Sequence, residues 1–300
     1  MSVSNHPTKT PSPATKSVRP RQRSDLFQQA FRLPIVIWQG LFFIAPLFFL
    51  VAMSFFIVRN YRMTEAFEMK NWLKMMSRDY FWDSYGLTIG LATLATLVVT
   101  TVAFPAAYTL AFRVSEVTRR WAIFLLIIPF FTSYLVRIFS WYVILAESGV
   151  INAMLGYIGL GPYIMLNTKF GTIIGYMTLT LPLVIILQTF SLANIDRRLV
   201  EAAHNLGCRP WRTIIRVVLP LAKTGFIIAA VFCFILSFGD FVSPYYLGGS
   251  KPPTLPILIV DTVKSGQQWP RAAVVAVVMM VTLFIVAFGG IAAAYRRRTA

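Results

Sequence analysis

Six stretches of this chain, at 33–58, 87–112, 121–145, 170–192, 225–247 and 272–295, are 23 to 26 residues long and carry only two charged residues between them, Arg137 and Asp240. Hydrocarbon about 30 Å thick is crossed by roughly 20 helical residues, and a backbone in lipid must satisfy its own hydrogen bonds. The stretches therefore predict an all-α, polytopic membrane protein with six spans. A mean hydropathy of +0.67 agrees with this. A seventh uncharged stretch, 149–167, is interrupted by Gly149, Gly156, Gly159, Gly161 and Pro162 and has no flanking basic cluster. It is expected to be a short interfacial helix instead, presenting Val150, Ile151, Met154, Leu155 and Ile158.

Lysine and arginine set the expected orientation. With both termini cytoplasmic, the inner segments hold 18 basic residues and the outer loops 9, so the net charge of +17 is mainly a topology signal and not a nucleic-acid surface. Residues 1–32 are rich in Pro, Ser, Thr, Lys and Arg and predict a disordered basic cytoplasmic tail. They lack a signal-peptide core, so the first span is expected to stay as an anchor. Residues 296–300 form a second basic cytoplasmic end. Only two cysteines, Cys208 and Cys233, and two histidines, His6 and His204, are present. Their placement supports neither a disulfide, nor a metal site, nor a catalytic constellation.

Between the fourth and fifth stretches, residues 193–220 are polar and basic. Ile195, Leu199, Ala202, Ala203 and Leu206 recur at helical spacing, with Arg197, Arg198, Glu201 and His204 opposite. Gly207 suits a helix C-terminus and Pro210 the start of another helix. Trp211, Ile214, Ile215, Val218 and Leu219 would form the apolar side of that second helix, with Pro220 closing it.

Glu201-Ala202-Ala203, Gly207, Val217 and Leu219-Pro220 have the spacing of the EAA motif, and on them the chain resembles the permease subunits of type I ABC importers. Only Val217 departs, standing where isoleucine is usual. The resemblance implies that this loop docks onto a cytoplasmic ATPase dimer, the two alanines permitting close approach and Glu201 offering an orientable charge. It also implies a second permease subunit, similar or identical, an extracytoplasmic substrate-binding protein, and residence in the inner membrane. No G-x-x-x-x-G-K-[ST] loop occurs, so ATP and magnesium would be used by the partner ATPase and no cofactor bound by this chain.

Two further segments narrow the resemblance. Pro129-Phe130-Phe131-Thr132-Ser133 followed by Leu135-Val136-Arg137, with Gly149 and Asn152 beyond, is similar to a pattern of the spermidine and putrescine branch, with Phe131 in place of tryptophan. Gly239-Asp240-Phe241-Val242 with Pro244 and Leu247-Gly248-Gly249 is similar to another, with aspartate for glutamate. The implied cargo is a polyamine or similar cation. Importers of the same family for an aminophosphonate, an opine or a metal complex remain the main alternative, and a secondary transporter explains the spans but not the loop.

An arginine at a helix centre costs about 3 kcal/mol on insertion scales, so Arg137 should face protein or water. Two readings of Asp240 stand side by side. It neutralises Arg137, or with Tyr245 or Tyr246 it lines a path for a cation. Pro105 and Pro182 are expected to bend the second and fourth spans, and Thr224, where the family usually has proline, to loosen the start of the fifth. The aromatic stretch 59–83 reads either as an interfacial belt or as a partner surface.

Overall fold

The computed structural model describes residues 33–59, 62–64 and 67–295. The two terminal segments expected to be basic and cytoplasmic, 1–32 and 296–300, lie outside the described residues. The chain divides into two units at Phe49 and Leu50. The first contributes most of helix α1 (Leu33–Met53), which includes a π-helical turn at Gly40–Ile44.

In the second unit the described residues include a short antiparallel ribbon, β1 (Ile57–Arg59) with β2 (Arg62–Thr64). Then come α2 (Lys70–Met76), α3 (Asp79–Phe112), α4 (Glu116–Ile127), α5 (Tyr134–Leu145), α6 (Val150–Tyr157) and α7 (Lys169–Ala193). The rest is α8 (Arg197–Asn205), α9 (Pro210–Leu221), α10 (Lys223–Gly239), α11 (Val242–Tyr246), α12 (Leu255–Lys264) and α13 (Trp269–Tyr295). By length and apolarity, five helices of the described residues could cross a membrane, and six if α9 and α10, bent by 76° at Ala222, count as one span.

Helix α3 starts eight residues before the expected span, at Asp79. An acidic residue in the first turn favours a helix N-terminus, but a hydropathy reading stops at the charge. Its small residues Ala92, Ala95, Val99, Ala103 and Ala107 are fully buried, mostly against α7 and α10, where short side chains let helices approach. Gly171 and Gly175 do the same for α7. A Cβ at Gly171 would stand 2.6 Å from the Leu247 carbonyl oxygen, and one at Gly175 would overlap the Ser243 side chain. Both α3 and α7 run on through their prolines, Pro105 and Pro182.

Two expected spans are broken. The stretch 121–145 is two short helices, because Pro129 has no N–H to continue α4 and the Thr132 hydroxyl donates to the Pro129 carbonyl at 2.8 Å. The membrane candidate here is Tyr134–Tyr157, in which α6 follows α5 after a turn. Asn152 holds this region, its amide donating to the Ala146 and Tyr163 carbonyls and accepting the Tyr163 N–H. The stretch 225–247 ends as helix at Gly239 and restarts as α11. Pro220 does not close α9, which passes through it to Leu221 after a π-helical turn at Ile214–Val218. Thr224 is tied down, since its hydroxyl donates to the Ala294 carbonyl at 3.2 Å.

The aromatic stretch divides between core and surface. Phe81 and Met75 are buried with Phe234, Phe238, Leu255 and Val274, and Trp72 packs against them, while Leu73, Tyr80 and Trp82 stay exposed. Helix α12 was not expected. It begins where the Leu255 N–H donates to the Thr88 hydroxyl on α3 at 2.9 Å.

Candidate functional site

Asp240 occupies the break between α10 and α11 with an extended backbone. Its Oδ1 accepts the Val242 N–H at 2.9 Å and its Oδ2 the Ser243 N–H at 3.2 Å, so the carboxylate supplies acceptors that the start of α11 lacks. Oδ2 also accepts the Tyr134 hydroxyl at 2.6 Å. The Tyr134 oxygen lies 2.5 Å from the Ser243 hydroxyl, which must donate, because the only tyrosine proton is committed to Asp240. Tyr134 is the first residue of α5, directly after the break at Pro129. One hydroxyl therefore joins two helix breaks.

The expected ion pair between Arg137 and Asp240 is not formed. One turn beyond Tyr134, Arg137 donates from Nη1 to the Thr178 carbonyl on α7 at 3.2 Å, and its guanidinium carbon lies 5.6 Å from the Tyr134 ring centre. Its Nε is buried without a partner. The helical geometry of α5 directs the two side chains to different neighbours, which residue type alone does not reveal. Asp240, 7% exposed, is paired with no Lys or Arg side chain among the described residues. The Tyr176 and Ser237 hydroxyls are likewise buried and unpartnered. Tyr245 stacks on Phe241 and Tyr246 lies tilted against Phe139, with ring centres 5.0 and 4.9 Å apart. Tyr134 and Ser243, the actual partners of Asp240, were missed. A Gly-Asp pair followed by Ser and Pro was the available signal for a cap.

The polar loop forms the expected pair of helices. Asp196 caps α8 by accepting the Arg198 N–H at 3.0 Å, Gly207 takes φ +77°, and Pro210 opens α9. The buried face differs from the expected one. Ile195, Ala203 and Val218 pack with Ala107, Ala111 and Leu192, and Val200 lies against them, but Leu199, Leu206, Trp211 and Ile215 are exposed. Arg197 turns inward to donate to the Ala111 carbonyl at 3.2 Å, fixing α8 to the end of α3. Glu201, Ala202, Gly207, Leu219 and Pro220 are exposed and Val217 is half-buried. The motif residues thus share one element but not one buried face.

The family described as binding-protein-dependent transport system inner membrane component matches residues 100–300. The chain is 29% identical over 276 residues to the spermidine/putrescine transport system permease protein PotB of Haemophilus influenzae, covering 87% of this chain and 92% of that protein. It is 27% identical over 252 residues to PotB of Escherichia coli, covering 83% and 91%. The molybdenum transport system permease protein ModB of Azotobacter vinelandii is 30% identical over 208 residues, 67% and 89% of the two chains. The fold is similar to a chain of the bacterial alginate ABC transporter crystallised with an alginate-bound periplasmic protein, with a TM-score of 0.71, 19% identity and coverage of 89% and 93%. A chain of the inward-facing MetNI methionine transporter gives 0.51, at 16% identity and coverage of 73% and 100%. A family match over two thirds of the chain places it: the chain belongs to the binding-protein-dependent transport system inner membrane components.

Proposed function

We propose that this chain is the translocation subunit of an ATP-driven importer of polyamines, spermidine and putrescine among them, or of a closely similar small cation. The observation that carries the cationic cargo is the buried carboxylate of Asp240, which has hydrogen-bond donors but no cationic partner among the described residues. In a low-dielectric setting a carboxylate with no cationic partner favours a passing ammonium group, and the rings of Tyr245 and Tyr246 on α11, the helix that follows the break, are candidates for cation-π contact. The similarity to PotB over most of the chain supports the same cargo. The likeness to ModB supports a second reading, another solute carried by the same kind of subunit.

In this reading α8 and α9 dock on a cytoplasmic ATPase dimer through Glu201, Ala202, Ala203, Gly207, Val217, Leu219 and Pro220. Movement of the loop is transmitted through the Arg197 bond to α3 and the bend at Ala222, opening the path alternately to either side. A second permease and a substrate-binding protein complete the importer. The chain itself hydrolyses nothing, and both its termini face the cytoplasm of a cell whose inner membrane it spans.

The test is uptake of labelled spermidine by cells expressing the complete transporter, comparing wild type with Asp240→Asn. The amide keeps the size of the side chain and one acceptor oxygen, enough for the Val242 N–H, turns a donating NH2 toward Tyr134, whose hydroxyl can accept it, and removes the charge. Uptake falling at least about tenfold, at unchanged membrane abundance, is expected for the loss of a desolvated charge pair. Unchanged uptake would overturn the role of Asp240, and wild-type cells that take up no polyamine would overturn the cargo.

A further inference from the structure

A cavity of about 220 Å³ opens at the N-terminal end of α7, the end opposite the α8–α9 loop. Its lining includes Asn167, Lys169, Thr172, Ser250, Lys251 and Thr254, and no Asp or Glu. Lys169 stands in the first turn of α7 and Thr254 at the cap position of α12, so the N-termini of two helices, of 25 and 10 residues, border the same space. Thr254 makes no cap hydrogen bond. It is 2% exposed, and its hydroxyl has no partner. Two ammonium groups, two positive helix ends and a free buried hydroxyl, without a carboxylate, form an environment for an oxyanion.

We propose that this cavity binds a phosphate group. A tetrahedral oxyanion offers enough acceptors for both lysines and Thr254 at once, whereas a polyammonium cargo would be repelled. At the end of a membrane-spanning helix, the phosphate could come from the headgroup of an anionic phospholipid or from the free ion, and both sources use the same contacts. The site is distinct from the break at Asp240, and its failure would leave the polyamine reading untouched.

The full chain, purified in a neutral detergent, is titrated with phosphatidylglycerol, with a glucosyl diacylglycerol lacking phosphate, or with inorganic phosphate. Native mass spectrometry reads retained lipid and thermal unfolding reads stabilisation. Retention of phosphatidylglycerol over the glucosyl lipid is expected, weakened about tenfold or more in a Lys169→Gln/Lys251→Gln double variant, as removal of two charge-assisted contacts requires. Lys264→Gln, outside the cavity on the same helix α12, should behave as wild type. Thr254→Val keeps the side-chain shape and should lose part of the effect. Stabilisation by inorganic phosphate without retained lipid, abolished in the double variant, would assign the site to the free ion. Equal retention of both lipids with no phosphate effect, or binding unchanged in the double variant, would overturn the proposal.

Discussion

Asp240 combines two roles that its residue type alone does not separate. It is a helix cap, accepting the N–H groups of Val242 and Ser243, and it is a buried charge. Substitution can divide them. Asp240→Asn retains one of the two acceptor oxygens, whereas Asp240→Ala leaves two backbone donors and the Tyr134 hydroxyl unpaired, so the alanine variant should lower the melting temperature more, by the equivalent of about 2–4 kcal/mol from wild type. Thermal unfolding of the two purified variants checks this. Tyr134→Phe should cost about 1–3 kcal/mol by the same measurement, since it removes a hydrogen bond to a carboxylate and one to Ser243. Which of Arg137 and Tyr134 would reach Asp240 was not legible in the sequence. They stand three positions apart on α5, and the rotation of that helix is set by packing against α7 and α11.

Among the elements, the α8–α9 pair was the most legible. Its glycine, proline and capping aspartate act locally, and they do what their chemistry requires. Its buried face was not legible, because nine residues of α8 carry apolar side chains on two sides and the end of α3 takes the side holding Val200 and Ala203. Leu199, Leu206 and Trp211 are left exposed on the same helix pair as the exposed Glu201. If these exposed residues form the docking face, Glu201→Lys should abolish co-purification of an ATPase with the tagged chain while the chain still reaches the membrane. The broken spans were hidden for another reason. Hydropathy measures apolarity, and both breaks are apolar enough to be counted as helix. Packing of α7 on α11 depends on small residues, so Gly175→Val, whose side chain would overlap Ser243, should sharply reduce folded protein in the membrane, read as the yield of monodisperse material on size exclusion.

At the scale of the whole molecule, the charge bias predicts a threading that labelling can test. Cys208, half-buried in the α8–α9 turn, should react with a membrane-impermeant maleimide only from the cytoplasmic side, whereas a cysteine placed at exposed Ser77 should react from outside and buried Cys233 from neither. Labelling of Cys208 from outside would reverse the orientation. The sequence by itself determined that this chain crosses a membrane several times as helices, because lipid cannot solvate a backbone. It determined the turn at Gly207, because that φ is open to few residues, and it pointed to the family through the spacing of the polar loop. Only the tertiary structure decided where the spans break, that Arg137 bonds to Thr178 and not to Asp240, and that Lys169, Lys251 and Thr254 share a cavity. Those outcomes depend on which faces of separate helices meet, and that is settled by close packing of small residues far apart in the chain rather than by any local preference.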